Sequence, residues 1–261
     1  MNKLLQILLS LIIISLSPNL LGAAADEVKT DSDDFETTIV EDEIYDPLEG
    51  INRAVFGFNN VADKIILEPA AKGYKKLPTP IQSGIGNFIK NLKLPLVAVN
   101  QLLQGQGKNA VESTGRFFIN STIGIFGLID VADKVGLEQK EEDFGQTLAT
   151  YGVGDGFYVV LPLFGPSNLR DTAGMVMTMM TDPVNAYATN QGEAWAIPVR
   201  TAANAVDQRS KIIDEVNALR DNSVDYYAAV RSSYYQNRKA AIMNTDDDVL
   251  TPLPLISIEF E

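Results

Sequence analysis

The 261-residue chain contains no cysteine and no histidine. Without cysteine there is no disulfide, no thiolate metal site and no cysteine nucleophile. There is also no residue for lipid modification at a signal-cleavage point, so the sequence predicts that the chain is not a lipoprotein. Without histidine, serine–histidine hydrolysis, imidazole general-base chemistry and most zinc sites are excluded. No catalytic residue, metal or cofactor is expected. Long hydrophobic runs are missing too. From residue 45 onward, no run reaches the roughly 18 uninterrupted apolar residues that mark a spanning helix. The longest stretches, 117–129, 157–164 and 173–180, are each broken by glycine, proline or polar groups. No concentrated basic stretch exists, which argues against nucleic acid as a partner.

The charge that is present is uneven. The formal net charge is −13. Residues 26–49 hold eleven acids against Lys29 alone, whereas from Gly50 onward 23 acids meet 19 lysines and arginines. The acidity therefore belongs to a tether, residues 26–44, poor in apolar content and expected to be disordered. Ahead of it, Lys3, an apolar core over residues 4–16 and Ala23-Ala24-Ala25 form a signal peptide, residues 1–25, with an uncleaved anchor as the alternative. Residues 45–243 form one domain of ordinary size. Residues 244–261 read as a flexible tail.

Helical signals dominate the domain, so the fold class is all-α. Asp46, Pro47 and Glu49 read as a capping box opening a helix whose apolar stripe is Leu48, Ile51, Val55, Phe58, Ala62 and Ile65. Thr79 to Gln82 repeats that cap logic. Pro95 is expected to separate a helix over 81–92 from a short one over 95–104. Helices are further expected over 109–120, as a glycine-interrupted apolar helix over 123–133, and behind Asp143 as a cap. Residues 157–164 read as extended. Ser167 is expected to cap a helix to Met180, and Asp182-Pro183 to restart one to Asn190. Long helices follow over 199–219 and 223–242.

Two features invite a functional reading. Gly152, Gly154 and Gly156 lack the dinucleotide pattern and the lysine of a phosphate loop, so they read as a close-approach connection able to take φ > 0. Met175, Met177, Met179 and Met180 read either as core or as a soft lipid-facing surface.

Five blocks in order carry a resemblance. They are Asp46-Pro47-Leu48-Glu49 with Asn52-Arg53 and Phe56 to Asn59; Asn87-Phe88 through Gly105; Arg116 to Gly124 with Gly127 to Ala132; Asp143 to Leu148 with Tyr151 to Gly154; and Leu161 to Ser167 with Arg170-Asp171. Together they resemble the MlaA/VacJ family of bacterial outer-membrane proteins. The resemblance implies a ring of short in-plane amphipathic helices around a central channel, at the periplasmic side of the outer membrane of a Gram-negative bacterium. It implies removal of mislocalised phospholipid from the outer leaflet, with a porin trimer and a periplasmic lipid carrier protein as partners. In-plane helices satisfy their own backbone, so they need no spanning run. A soluble periplasmic phospholipid carrier is the alternative.

On this reading the lipid path is expected at Asn52, Phe56, Asn59, Tyr151, Gly152, Gly154, Met175 and Met179, with the Met-rich hairpin as gate. Carrier docking is expected at Leu253, Ile256, Ile258 and Phe260, whose alternation has the period of a strand.

Overall fold

The computed structural model describes residues 44–244. The signal peptide, most of the acidic tether and the expected docking segment at Leu253, Ile256, Ile258 and Phe260 lie outside the described residues. The described part is mainly helical, with one two-stranded sheet.

Helix α1 (Glu49–Ala62) passes through a π-turn, Asp63–Leu67, into α2 (Glu68–Tyr74). The turn is fastened from outside. Arg209 donates to both Asp63 oxygens (Nε 2.9 Å, Nη2 3.1 Å) and Arg220 Nη2 to Oδ2 (2.7 Å). The expected capping box at Asp46 does not form: α1 begins without a side-chain cap. Asp46 instead accepts from Asn52 Nδ2 (2.8 Å), the Tyr227 hydroxyl (2.5 Å) and Arg231 (2.8 Å). Its carboxylate ties the helix start to the end of the domain. Thr79 likewise caps nothing, and Gln82 Nε2 donates back to the carbonyls of Lys75 and Leu77.

Helix α3 (Thr79–Leu103) runs unbroken through Pro95, contrary to the expected break. An interior proline costs about 3 kcal/mol. Burial on both sides of it, at Asn91 and Leu94 and again at Val97, Ala98, Asn100 and Gln101, outweighs that cost. Helix α4 (Gly107–Thr122) packs against α3. The apolar segment after it is not the expected helix. Ile125, Phe126 and Gly127 take φ of 53°, 57° and 90°, and only Val131–Lys134 (α5) is helical. Asn120 decides this: its Oδ1 accepts from Val131 N and Ala132 N (both 2.9 Å), and its Nδ2 donates to Asp130 (3.0 Å).

Helix α6 (Phe144–Thr150) is capped by Asp143, which accepts from Gln146 N at 2.9 Å, as expected. A hairpin follows, β1 (Tyr158–Leu161) with β2 (Gly165–Asn168), antiparallel and in register Tyr158↔Asn168 to Leu161↔Gly165. The second strand includes Ser167, so the cap of α7 (Leu169–Thr181) falls to Asn168. Asp182 then caps α8 (Pro183–Asn190). The long helix expected over 199–219 breaks at Ile212 into α9 (Ala196–Lys211) and α10 (Ile213–Asn222). Asp225 caps α11 (Tyr226–Met243).

Among the described residues the hairpin has no third strand, and α1 lies along the edge of β1. Asn52 and Asn59, seven residues apart and so on one helix face, present their amides to the free edge of β1. Asn52 donates to Tyr158 O (3.0 Å) and accepts from Val160 N (2.9 Å). Asn59 donates to Leu161 O (2.9 Å) and accepts from Leu163 N (2.8 Å). The small core beneath holds Tyr158, Val160 and Tyr227, with Val55, Phe56, Tyr234 and Tyr235 against it.

Polarity is inverted. Among the described residues, seventeen buried side chains are polar or charged against twelve apolar ones, while large hydrophobics stand exposed along most helices. The stripe of α1 shows it: Ile51, Phe58 and Ile65 face out, and the buried position is Asn52.

Asn52→Ala leaves the Val160 N–H and the Tyr158 carbonyl without their partners. Unsatisfied buried groups cost about 1–3 kcal/mol each, so denaturant unfolding should show a loss of about 3 kcal/mol.

Candidate functional site

The last helix supplies an ion-pair knot at which three helices meet. Arg238, near the end of α11, donates both guanidinium nitrogens to Asp143 (Nη1–Oδ2 2.7 Å, Nη2–Oδ1 2.8 Å). It also reaches Asp171 in α7 (Nη2–Oδ1 2.9 Å, Nε–Oδ2 2.7 Å), which accepts from the Tyr234 hydroxyl at 2.5 Å. Two glycines make room. A Cβ on Gly145 would lie 2.3 Å from Arg238 Nη2, and one on Gly174 would lie 2.4 Å from Gly145 N. Helices α6 and α7 therefore cross backbone to backbone under the guanidinium.

Two cavities adjoin this knot, and Asp143, Thr178 and Arg238 line both. The smaller, about 280 Å³, lies under the hairpin turn, with Leu161, Phe164 and Met175 in its wall. The larger is about 1010 Å³ and is walled by both polar and apolar surface. Its apolar part includes Leu96 and Val97; its charged part includes Lys90, Lys93 and Arg200 on one stretch and Glu138, Glu141 and Glu142 on another.

The charges behave as groups surrounded by protein yet reached by water. Burial pushes the Asp143 carboxyl up, but the bonds and charge of Arg238 outweigh it and hold it below its ordinary value. Burial raises Glu142 despite hydrogen bonds from Gln104 (2.8 Å) and Gln106 (3.2 Å). Lys93 is exposed by area, yet burial among protein atoms lowers its ammonium below the ordinary lysine value. Among the described residues no group of acids could hold a metal ion.

The residues expected on a lipid path are dispersed. Met175 lines the smaller cavity, and Met179 is 45% exposed. Asn52 and Asn59 hold β1, and Phe56 packs on Tyr226 and Tyr227 with ring centroids 5.2 and 5.5 Å away. Tyr151 is exposed and donates to Leu103 O at 2.5 Å. Gly152, at φ 82°, terminates α6: its N–H meets Ala149 O and the next meets Leu148 O. Gly154 is not in the left-handed region, and a Cβ there would meet open space. Only Gly156, at φ 70° and pressed on Leu169, makes a close approach. Sequence reasoning missed Arg238, Lys90 and Lys93. Arg238 sits in a tyrosine-rich helix beside Lys239, with Arg231 seven residues earlier on the same face, and sequence reasoning did not single it out.

The body is mainly helical, with large hydrophobics outside, many polar side chains within, and a cavity with charged and apolar walls. The comparisons name the family. The sequence model described as MlaA lipoprotein matches residues 44–241, and the chain belongs to the MlaA family. An uncharacterized protein of Rickettsia prowazekii is 40% identical over 202 residues, 77% of this chain and 79% of the relative. The Haemophilus influenzae protein named intermembrane phospholipid transport system lipoprotein MlaA is 38% identical over 74% of this chain and 77% of its own. A solved structure presented as the structural basis for maintenance of bacterial outer membrane lipid asymmetry superposes with a TM-score of 0.68. It shares 38% identity over 76% of this chain and 98% of that one. The expectation that the chain is not a lipoprotein is overturned: its family is described as MlaA lipoprotein, and the Haemophilus influenzae relative carries that word in its name. The absence of one residue type was too narrow a basis for assigning the class.

Breaking the knot should be costly and pH-sensitive. Removing one member of a buried pair costs about 3–5 kcal/mol; with Asp143 partly exposed, Arg238→Gln should cost about 3 kcal/mol in urea unfolding. Asp143 titrates lower folded than unfolded, so its contribution is complete above the unfolded value of about 3.9 and fades as pH falls below it. The wild type should lose this increment in acid, and Arg238→Gln should lack the loss. Separately, Gly174→Ala should destabilise by about 1–3 kcal/mol, because the backbone of Gly145 cannot move aside.

Proposed function

We propose that the chain is a phospholipid conduit at the outer membrane, taking mislocalised lipid from the outer leaflet and passing it to a periplasmic carrier. The observation that carries this reading is the pair of adjoining cavities, with charged and apolar walls, inside a body whose large hydrophobics face outward. The many exposed large hydrophobics suit helices lying in a lipid layer, arranged as a ring around the cavity. Among the described residues no helix is long and apolar enough to cross a membrane, which fits in-plane placement. Relatives named for intermembrane phospholipid transport, and a related structure concerned with lipid asymmetry, support the same substrate. A porin trimer and a soluble carrier are the partners such a conduit needs at its two ends. No bond in the lipid is made or broken; selection is by geometry and charge.

Thr178 tests the path, because it lines both cavities and its side chain holds nothing else in place. Thr178→Trp should fill the junction. Cells carrying it should accumulate outer-leaflet phospholipid while the protein stays folded and membrane-bound. Wild-type lipid clearance with a folded Thr178→Trp protein would remove the cavities from the path.

A further inference from the structure

The larger cavity is not uniformly polar. Lys90 and Lys93 lie three residues apart and so share a face of α3, and Leu96 and Val97 continue along the same wall. Among the described residues Lys90 has no ion-pair partner, and Lys93 has only a 3.4 Å hydrogen bond to Asn204. Arg200 is paired with Asp182, and Arg238 with Asp143 and Asp171, so the two lysines are the free cations of α3's stretch of wall. Their neighbours make the deficit worse. Burial disfavours a charged Lys93 most; Glu141, the largest charge effect, opposes it, and the charges of Arg200, Lys90 and Lys211 add to the burial.

Another stretch of wall, residues 138–143, has the opposite sign. Glu138 and Glu141 are exposed to the cavity and make no ion pair among the described residues, and Lys140 is the single cation of that stretch. Counted round the whole wall, five cations face five acids. The cavity is neutral overall and offers unpaired charge of both signs, with Glu141 near enough to Lys93 to act on it. A purely anionic ligand would satisfy the lysines and be repelled by the glutamates. A ligand carrying both charges on a short polar group, joined to an apolar body, satisfies both stretches and the Leu96–Val97 strip.

We propose that this part of the cavity binds the zwitterionic headgroup of a phospholipid, its phosphodiester on Lys90 and Lys93 and its ammonium on Glu138 and Glu141, with the acyl chains along Leu96 and Val97. The proposal rests on the conduit reading and gives it a headgroup preference. Charge-assisted hydrogen bonds to phosphate are the strong ones, and a partly desolvated ammonium without a carboxylate has most to gain from one.

The test is calorimetric titration of the full chain in non-ionic detergent with three probes: short-chain phosphatidylethanolamine, short-chain phosphatidylglycerol and inorganic phosphate. Phosphatidylethanolamine should bind tightest and inorganic phosphate weakest. Lys90→Gln/Lys93→Gln should weaken both lipids about a hundredfold, as expected for removal of two charge-assisted hydrogen bonds. Lys90→Arg/Lys93→Arg should restore binding, which a merely structural role would not require. Glu138→Gln/Glu141→Gln should weaken phosphatidylethanolamine alone and erase its advantage over phosphatidylglycerol. Unchanged lipid binding in the lysine double variant overturns the site, and so does failure of the wild type to bind either lipid. Inorganic phosphate binding as tightly as lipid would make it a free-anion site and overturn the headgroup assignment. The conduit reading fails separately, through Thr178→Trp in cells, where no headgroup contact is altered.

Discussion

The guanidinium of Arg238 is the contact on which the arrangement of this domain depends. It reaches from the last helix to the cap of α6 and the first turn of α7 at once, binding Asp143 and Asp171 together. Asp143 in turn holds the N-terminus of α6, and Asn168 holds that of α7, so one cation fixes two helix starts whose own dipoles favour a carboxylate. The geometry is possible only because Gly145 and Gly174 let the helices touch. The same guanidinium lines both cavities. The fold and both cavities therefore share a residue.

This dependence follows from inverted polarity. A domain that turns its large side chains outward cannot rely on apolar collapse to hold helices together. Its buried centre instead holds charged and amide side chains, each with fixed partners. Arg116 with Asp130, Arg209 and Arg220 with Asp63 and Glu68, and Arg231 with Asp46 repeat the logic of Arg238 at other helix junctions. Such pairs set distances more sharply than apolar contacts do, because a hydrogen bond tolerates only a few tenths of an ångström. They fix spacing without filling space.

Much of the fold was legible in the sequence, for local reasons. Asp143, Asp182-Pro183 and the extended run that begins at Phe157 act through neighbours in the chain; both caps formed, and a strand formed over Tyr158–Leu161. What was misread acts at a distance. Asp46 has the look of a helix cap and serves Tyr227 and Arg231 instead, more than 180 residues away. Pro95 has the look of a break and is held helical by burial on either side. Asn120 converts an apolar helix-like run into a left-handed turn by accepting two backbone N–H groups. The asparagines of the first motif were legible as special but not in their role. Their spacing of seven matches a helix face, and only the structure shows that face completing a sheet edge. Arg238, Lys90 and Lys93 were not singled out, because their meaning is set by which walls they face.

The proposed conduit for an amphiphile has two opposed requirements. The passage must stay open, which an apolar lining would resist by closing on itself. It must also avoid holding its cargo too firmly, which a lining of free charges would do. Here Arg238, which lines both cavities, is already matched by Asp143 and Asp171 and so offers little unpaired charge. Unmatched charge is confined to the larger cavity, and there both signs are present, so that neither attracts without limit. The ion pairs at its rim, rather than its walls, keep such a hollow from collapsing. That division of roles explains why the buried residues of this domain are so often arginines and asparagines, and why its hydrophobic residues are left for the surroundings to cover.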